Sequence, residues 1–336
     1  MMTLPGRSGS DRPFVLHIGL PKTGTSTLQR HLFPRHTGIE YLGKFDADRS
    51  RNRWNHCRDK AVQRITSEIF FDRWANPDFD LCRRLFEDSI RPTLESGKPH
   101  LLSWEGLTLA PLDRQRIRSG NFLRVFGPSK IMLTIRHPVT SAESGYFQYL
   151  TDEFTGHSAN WKKRPKYVAP ERFMERLLLP DHGRPDHGRL LYSESAEIHC
   201  ELFGRDAIEV FVFEEFVENP QRFVRRLCAF LGIDPEEGVA LARDKHENPR
   251  WTEEHIRRLR EMGRSLLGSI RFQLAGRERR RTLLGFEPGD SAWEAPAARF
   301  EVPDSARRKI EERTREGNRW LAQEWGLPLE RYGYPL

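Results

Sequence analysis

Short apolar runs, each closed by a charged residue or a glycine-rich turn, set the rhythm of the chain. The first, Phe14-Val15-Leu16-His17-Ile18, reads as a buried strand. Gly19-Leu20-Pro21-Lys22-Thr23-Gly24 follows as a loop. Thr25 to Phe33 then reads as a helix with Leu28 and Leu32 on one face, stopped by Pro34. Pro99 to Trp104, Lys130 to Ile135 and Ile208 to Phe213 give three more strands, running into Glu105, Arg136 and the pair Glu214-Glu215. Helices are predicted over much of Arg58 to Leu94, from Pro138 to about Leu150, and from Pro220 to Leu231 before Gly232. Strands alternating with helices predict an α/β fold, a parallel sheet covered on both faces. Thr151 to Arg189 is rich in His, Lys, Arg, Pro and Gly and is expected to form long loops over the sheet. After Trp251 come an Arg/Glu-rich helix, a Gly/Pro/Ala-rich stretch and an amphipathic helix around Ile310 to Trp325. The expected organisation is one domain over residues 1–336, with a core of about 14–250 and a helical extension, 251–336, packed on it.

Composition narrows the function classes. With 336 residues and 37 % hydrophobic content the chain can bury a sizeable core. The net charge of +7 favours an anionic ligand. Because 31 % of residues are charged, with both signs mixed, Arg279-Arg280-Arg281 reads as a solvated face and no nucleic-acid partner is expected. Cys57, Cys82, Cys200 and Cys228 form no CxxC pair, which argues against a zinc site or a disulfide framework. Met1 to Pro13 lacks the apolar centre of a signal peptide, and no run reaches the ~18 apolar residues of a membrane span. A cytoplasmic protein is expected. Asp181-His182-Gly183-Arg184 almost repeats as Asp186-His187-Gly188-Arg189, in a loop without helical spacing, and reads as a solvated or acceptor-contacting flap rather than a metal site.

A strand feeding a glycine loop into a helix N-terminus is a phosphate cradle, because free backbone N–H groups and the helix dipole both favour an anion. Gly24 allows close approach, Lys22 adds a cation, and Thr23, Thr25, Ser26 and Thr27 add hydroxyls. Nucleotide triphosphatases place lysine directly after the second glycine, where this chain has Thr25. Nor does a strand end in the Asp that would hold Mg²⁺. An ATP-dependent kinase is therefore the lesser alternative, and a non-catalytic nucleic-acid binder the other.

Pro21-Lys22-Thr23-Gly24-Thr25-Ser26-Thr27-Leu28 resembles the 5′-phosphosulfate loop of sulfotransferases that use 3′-phosphoadenosine 5′-phosphosulfate (PAPS). In that family a strand-end arginine is followed eight residues later by a serine; here these are Arg136 and Ser144, since 144 − 136 = 8. Val212-Phe213-Glu214-Glu215-Phe216, Pro220 and Phe230-Leu231-Gly232 are similar to a third family segment, and the resemblance runs over roughly residues 14–250.

The resemblance implies the sulfotransferase fold, with a P-loop-type sheet. It also implies sulfuryl transfer from PAPS, without a metal, to a hydroxyl of a small-molecule or glycan acceptor. Lys22 would stabilise the leaving group, residues 23 to 27 would hold the 5′-phosphate, and Arg136 and Ser144 the 3′-phosphate. Glu105, just past the strand, is the expected general base, with a helix-capping or hydrogen-bonding carboxylate as the alternative. Trp104 stands where a small residue is usual, and Thr27 replaces the adenine-stacking tryptophan of small-molecule cytosolic members. The pattern is closer to the glycan-acting and bacterial branch. Lys245, His246 and Arg250 occupy the region of a further phosphate-binding segment without matching it, and are left unassigned. His17 and His100 read as structural, and His137 as a neighbour of Arg136. Residues 41–60 and 151–195 are the expected acceptor loops.

Overall fold

The computed structural model describes residues 12–45, 57, 59–155, 168–178, 190, 192–243, 251–264, 270, 272, 274–287 and 289–336. These form two compact units, one of Met1–Pro138, Pro180–Glu247 and Glu311–Leu336, the other of Val139–Leu179 and Asn248–Ile310.

The first unit is built on five parallel strands: β1 (Phe14–His17), β2 (Glu40–Lys44), β3 (His100–Ser103), β4 (Ser129–Ile135) and β5 (Ile208–Val212), in the order β2-β3-β1-β4-β5. Alternation along each strand divides the side chains between two cores. Phe14, Leu16, Leu102, Ile131, Leu133, Val210 and Val212 enter one, together with Phe70, Phe122 and Leu321. Val15, Leu101, Met132 and Phe211 enter the other. That second face is covered by α1, an α-helical turn over Thr25–Thr27 that widens to a π-helical turn over Leu28–Leu32. The helix Pro220–Leu231 covers it too, through Phe223, Leu227 and Leu231. A sheet buried on both faces is what the continuous apolar runs predict.

The exposed edge of β5 is closed by side chains instead of another strand. Trp325 Nε1 donates to the Ile208 carbonyl at 3.0 Å and Arg226 Nη2 to that of Val210 at 2.9 Å. Leu327, Leu329 and Tyr334 join the main core of this unit, so the C-terminal segment is part of its packing.

Several elements lie outside the sequence expectation. β2 has only one aliphatic side chain and was not anticipated. The helix Leu112–Phe126 and the helix Tyr192–Phe203 are likewise additional. They pack together around His199, which donates Nδ1–H to the Ser195 carbonyl (2.6 Å) and accepts from Ser119 at Nε2 (3.0 Å). Burial pushes this imidazole down to about 4, so it is neutral and structural.

In the second unit, the helices Pro138–Thr155 (from Val139) and Pro170–Leu178 gather Tyr146, Phe147 and Phe173. The second helix falls where loops were expected; Phe173, Met174 and Leu177 give it a buried stripe. The helix Glu253–Arg264 begins in a reciprocal cap. Thr252 N donates to His255 Nδ1 at 3.1 Å, and His255 N to Thr252 Oγ1 at 3.4 Å. Among the described residues no helix is long and apolar enough to cross a membrane.

Candidate functional site

The glycine loop leaves β1 strapped to its neighbour. Ile18 N donates to the Met132 carbonyl (2.9 Å) and Leu20 N to that of Thr134 (3.1 Å), so the parallel ladder outlives the strand. At this approach Gly19 has no room for a side chain: a Cβ there would lie 1.8 Å from Thr134 Oγ1. Thr23 Oγ1 donates to the Leu20 carbonyl at 2.6 Å and sits 2.6 Å from Thr134 Oγ1. A hydroxyl has one proton, so Thr134 is the donor in the second contact. The Thr23 side chain, expected as a phosphate ligand, is buried and holds the loop closed.

Two residues turn the chain. Lys22 has φ +73° and Gly24 φ +78°. The left-handed conformation is cheap for glycine but costs an L-residue about 1–2 kcal/mol, so Lys22 is the strained position of the loop. A Cβ on Gly24 would also come 2.8 Å from Phe216. Helix α1 then begins, with Thr27 N donating to the Gly24 carbonyl at 3.0 Å. Thr25 and Thr27 are buried; Ser26 is half-buried.

Glu105 follows β3 on the same edge of the sheet. Its Oε2 accepts from Lys44 Nζ at 2.7 Å, and its Oε1 lies 3.4 Å from Gln29 Nε2 on α1. Burial pushes the carboxyl up, but the Lys44 charge and hydrogen bond and the Thr25 hydroxyl outweigh it. Glu105 therefore stays below the ordinary glutamate range. Its oxygens turn to these side chains, as the hydrogen-bonding alternative expects of a carboxylate at this position. His17, fully buried, is paired through Nδ1 with Ser103 Oγ at 3.1 Å, and burial holds it neutral, at about 4.

On the other side of β1, Arg136 leaves β4 half-buried and donates Nη1–H to the Lys22 carbonyl at 3.1 Å, with its guanidinium 4.8 Å from the Phe213 ring centre. The turn after it is locked by Glu214, which accepts from His137 N (3.0 Å) and from the Tyr334 hydroxyl (2.9 Å). Burial, then the Glu214 charge, pushes the Tyr334 phenol well above its usual value, so it remains a donor. His137 Nε2 donates to the Gly333 carbonyl at 2.9 Å, so His137 and Glu214 serve as structural partners of the C-terminal segment.

The fold thus brings Lys22, Thr25, Glu105 and Arg136 to one edge. Ser144 lies half-buried on the helix Pro138–Thr155, within the second unit. Lys44 and Gln29 are the neighbours that sequence reading missed. Of the expected acceptor loops, Tyr41 to Lys44 is strand and Lys60 opens a helix capped by Asp59. Residues 46–56 and 156–167, the Asp-His-Gly-Arg repeat at 181–189, and Lys245, His246 and Arg250 lie outside the described residues. Among the described residues no group of three or more His, Cys, Asp or Glu side chains is placed to hold a metal ion. A cleft of about 390 Å³ runs along the β5 edge, and its acids are answered internally: Glu209 and Glu215 by Arg226, Glu218 by Arg331 and Tyr332.

No protein-family model and no curated protein matches the chain. Solved structures with a similar course include a sulfotransferase from Alicyclobacillus acidocaldarius, at 19 % identity and a TM-score of 0.42 over 84 % of this chain and 98 % of that one. A mouse sulfotransferase complexed with PAP matches at 14 % identity and 0.44, over 93 % and 86 %. The sulfotransferase domain from the curacin biosynthetic pathway matches at 12 % and 0.38, over 90 % and 96 %. With scores this low, the case for an activity rests on this chain's own residues.

Proposed function

We propose that the chain is a PAPS-dependent sulfotransferase of the cytoplasm that transfers a sulfuryl group to a hydroxyl of a sugar, glycolipid or secondary metabolite. The observation that carries this reading is the contact of Arg136 with the Lys22 carbonyl at 3.1 Å. It joins the strand-end arginine to the phosphate loop, as a nucleotide with phosphates at both its 5′ and 3′ positions requires. The loop fits such a ligand: Gly19 and Gly24 keep its backbone bare, and Lys22 and Gly24 take the left-handed turns that aim it.

In the reaction the acceptor O–H gives its proton to Glu105 while the oxygen bonds to sulfur. The bond from sulfur to the 5′-phosphate oxygen breaks, and its electron pair leaves with adenosine 3′,5′-bisphosphate. Lys22 neutralises the charge that grows on that oxygen, and Arg136 holds the 3′-phosphate as a planar fork. PAPS supplies the activated sulfuryl group.

The test is product analysis. Incubation with PAPS and a panel of hydroxyl acceptors should release adenosine 3′,5′-bisphosphate in equal amount with a sulfate ester. Phosphate transfer from ATP with no turnover of PAPS would overturn the reading in favour of a kinase.

A further inference from the structure

We infer that Lys44 is a positioning residue for the proposed reaction: set 2.7 Å from Glu105, it fixes the carboxylate and keeps it in its proton-accepting form. This rests on the reading above, with Glu105 as base.

The backbone of β2 supports it. Tyr41 lies opposite Leu101, but the register then shifts, so Gly43 faces Leu102 and Lys44 faces Ser103. In regular alternation Lys44 would share the face of Leu42, which packs into the other core. The shift, made at Gly43 with φ +109°, turns Lys44 to the face of Ser103 and His17, beside α1. Such irregularities re-aim one side chain at the cost of a ladder hydrogen bond. Here the side chain re-aimed is a lysine only 16 % exposed, against a glutamate 12 % exposed.

A sheltered ion pair adds little net stability, since desolvating both charges offsets their attraction. Its chemical effect is larger. Among the described residues, the groups facing Glu105 are Lys44 from β2, neutral His17 from β1, and Thr25 and Gln29 from α1. Lys44 alone among them carries a charge. Without it, the Thr25 hydrogen bond is left as the weaker counter to burial, and Glu105 binds its proton at higher pH, losing the base from the acid side.

The experiment compares pH profiles of kcat/KM for wild type, Lys44→Met and Lys44→Arg, with PAPS saturating. In Lys44→Met the acid limb should move up by at least one pH unit, while Lys44→Arg should keep it close to the wild-type position. Carbodiimide labelling of Glu105, read by mass spectrometry, should show the same shift without turnover. A purely structural lysine would lower the plateau and the melting temperature and leave the limb in place; an unmoved limb overturns the inference. If wild type turns over no PAPS at any pH, the sulfotransferase reading falls, and the role of Lys44 falls with it. Turnover with a limb that survives Glu105→Gln removes the base assignment alone, and the role of Lys44 again goes with it.

Discussion

Replacing Lys22 by glycine should abolish turnover without weakening the fold. Sulfuryl transfer places charge on the departing phosphate oxygen, and by analogy with phosphoryl transfer one preorganised cation at that point is worth a factor of about 10³–10⁵. Stability should respond the other way. Lys22 stands at φ +73°, which costs an L-residue about 1–2 kcal/mol and glycine little. Glycine gives back about 0.5–1 kcal/mol through its freer unfolded chain. The expected melting temperature is therefore unchanged or slightly raised, while kcat falls at least a thousandfold. Activity within tenfold of wild type would remove the ammonium from the mechanism. A collapse in stability would mean that the side chain holds the loop together.

Glu105→Gln is the second large effect. The amide keeps the shape and much of the hydrogen bonding but cannot take a proton, so kcat should fall by about 10²–10⁴. Affinity for adenosine 3′,5′-bisphosphate should change less than about threefold, because the carboxylate is assigned to the acceptor and not to the nucleotide. The exchange also leaves Lys44 sheltered without its counterion, which should cost about 2–3 kcal/mol of folding stability. Kinetics, calorimetric affinity and urea unfolding separate the three effects. Unchanged turnover would move the base elsewhere.

Most of the sheet was legible because parallel strands buried on both faces leave continuous apolar runs, as in Phe14 to Ile18 and Lys130 to Ile135. β2 left no such trace. Glu40-Tyr41-Leu42-Gly43-Lys44 is an edge strand with one aliphatic residue and a register shift, and nothing local marks Lys44 as a partner of Glu105. Thr23 shows another limit of local reading. Its residue type suits a phosphate, but its hydroxyl goes to Leu20 and Thr134, the latter 111 positions away. Glu214, noticed only as a strand-end acid, ties His137 to Tyr334 through a contact spanning 120 positions. Motifs within one turn of chain can be read locally; the partners that orient them come from distant strands and the C-terminal segment.

The most direct measurement is calorimetric binding of adenosine 3′,5′-bisphosphate against ADP and ATP, with and without Mg²⁺. The expected result is micromolar or tighter binding that requires the 3′-phosphate, ignores Mg²⁺ and weakens sharply in Arg136→Ala. Preference for ATP with Mg²⁺, or equal affinity for ADP, would contradict a site built for PAPS.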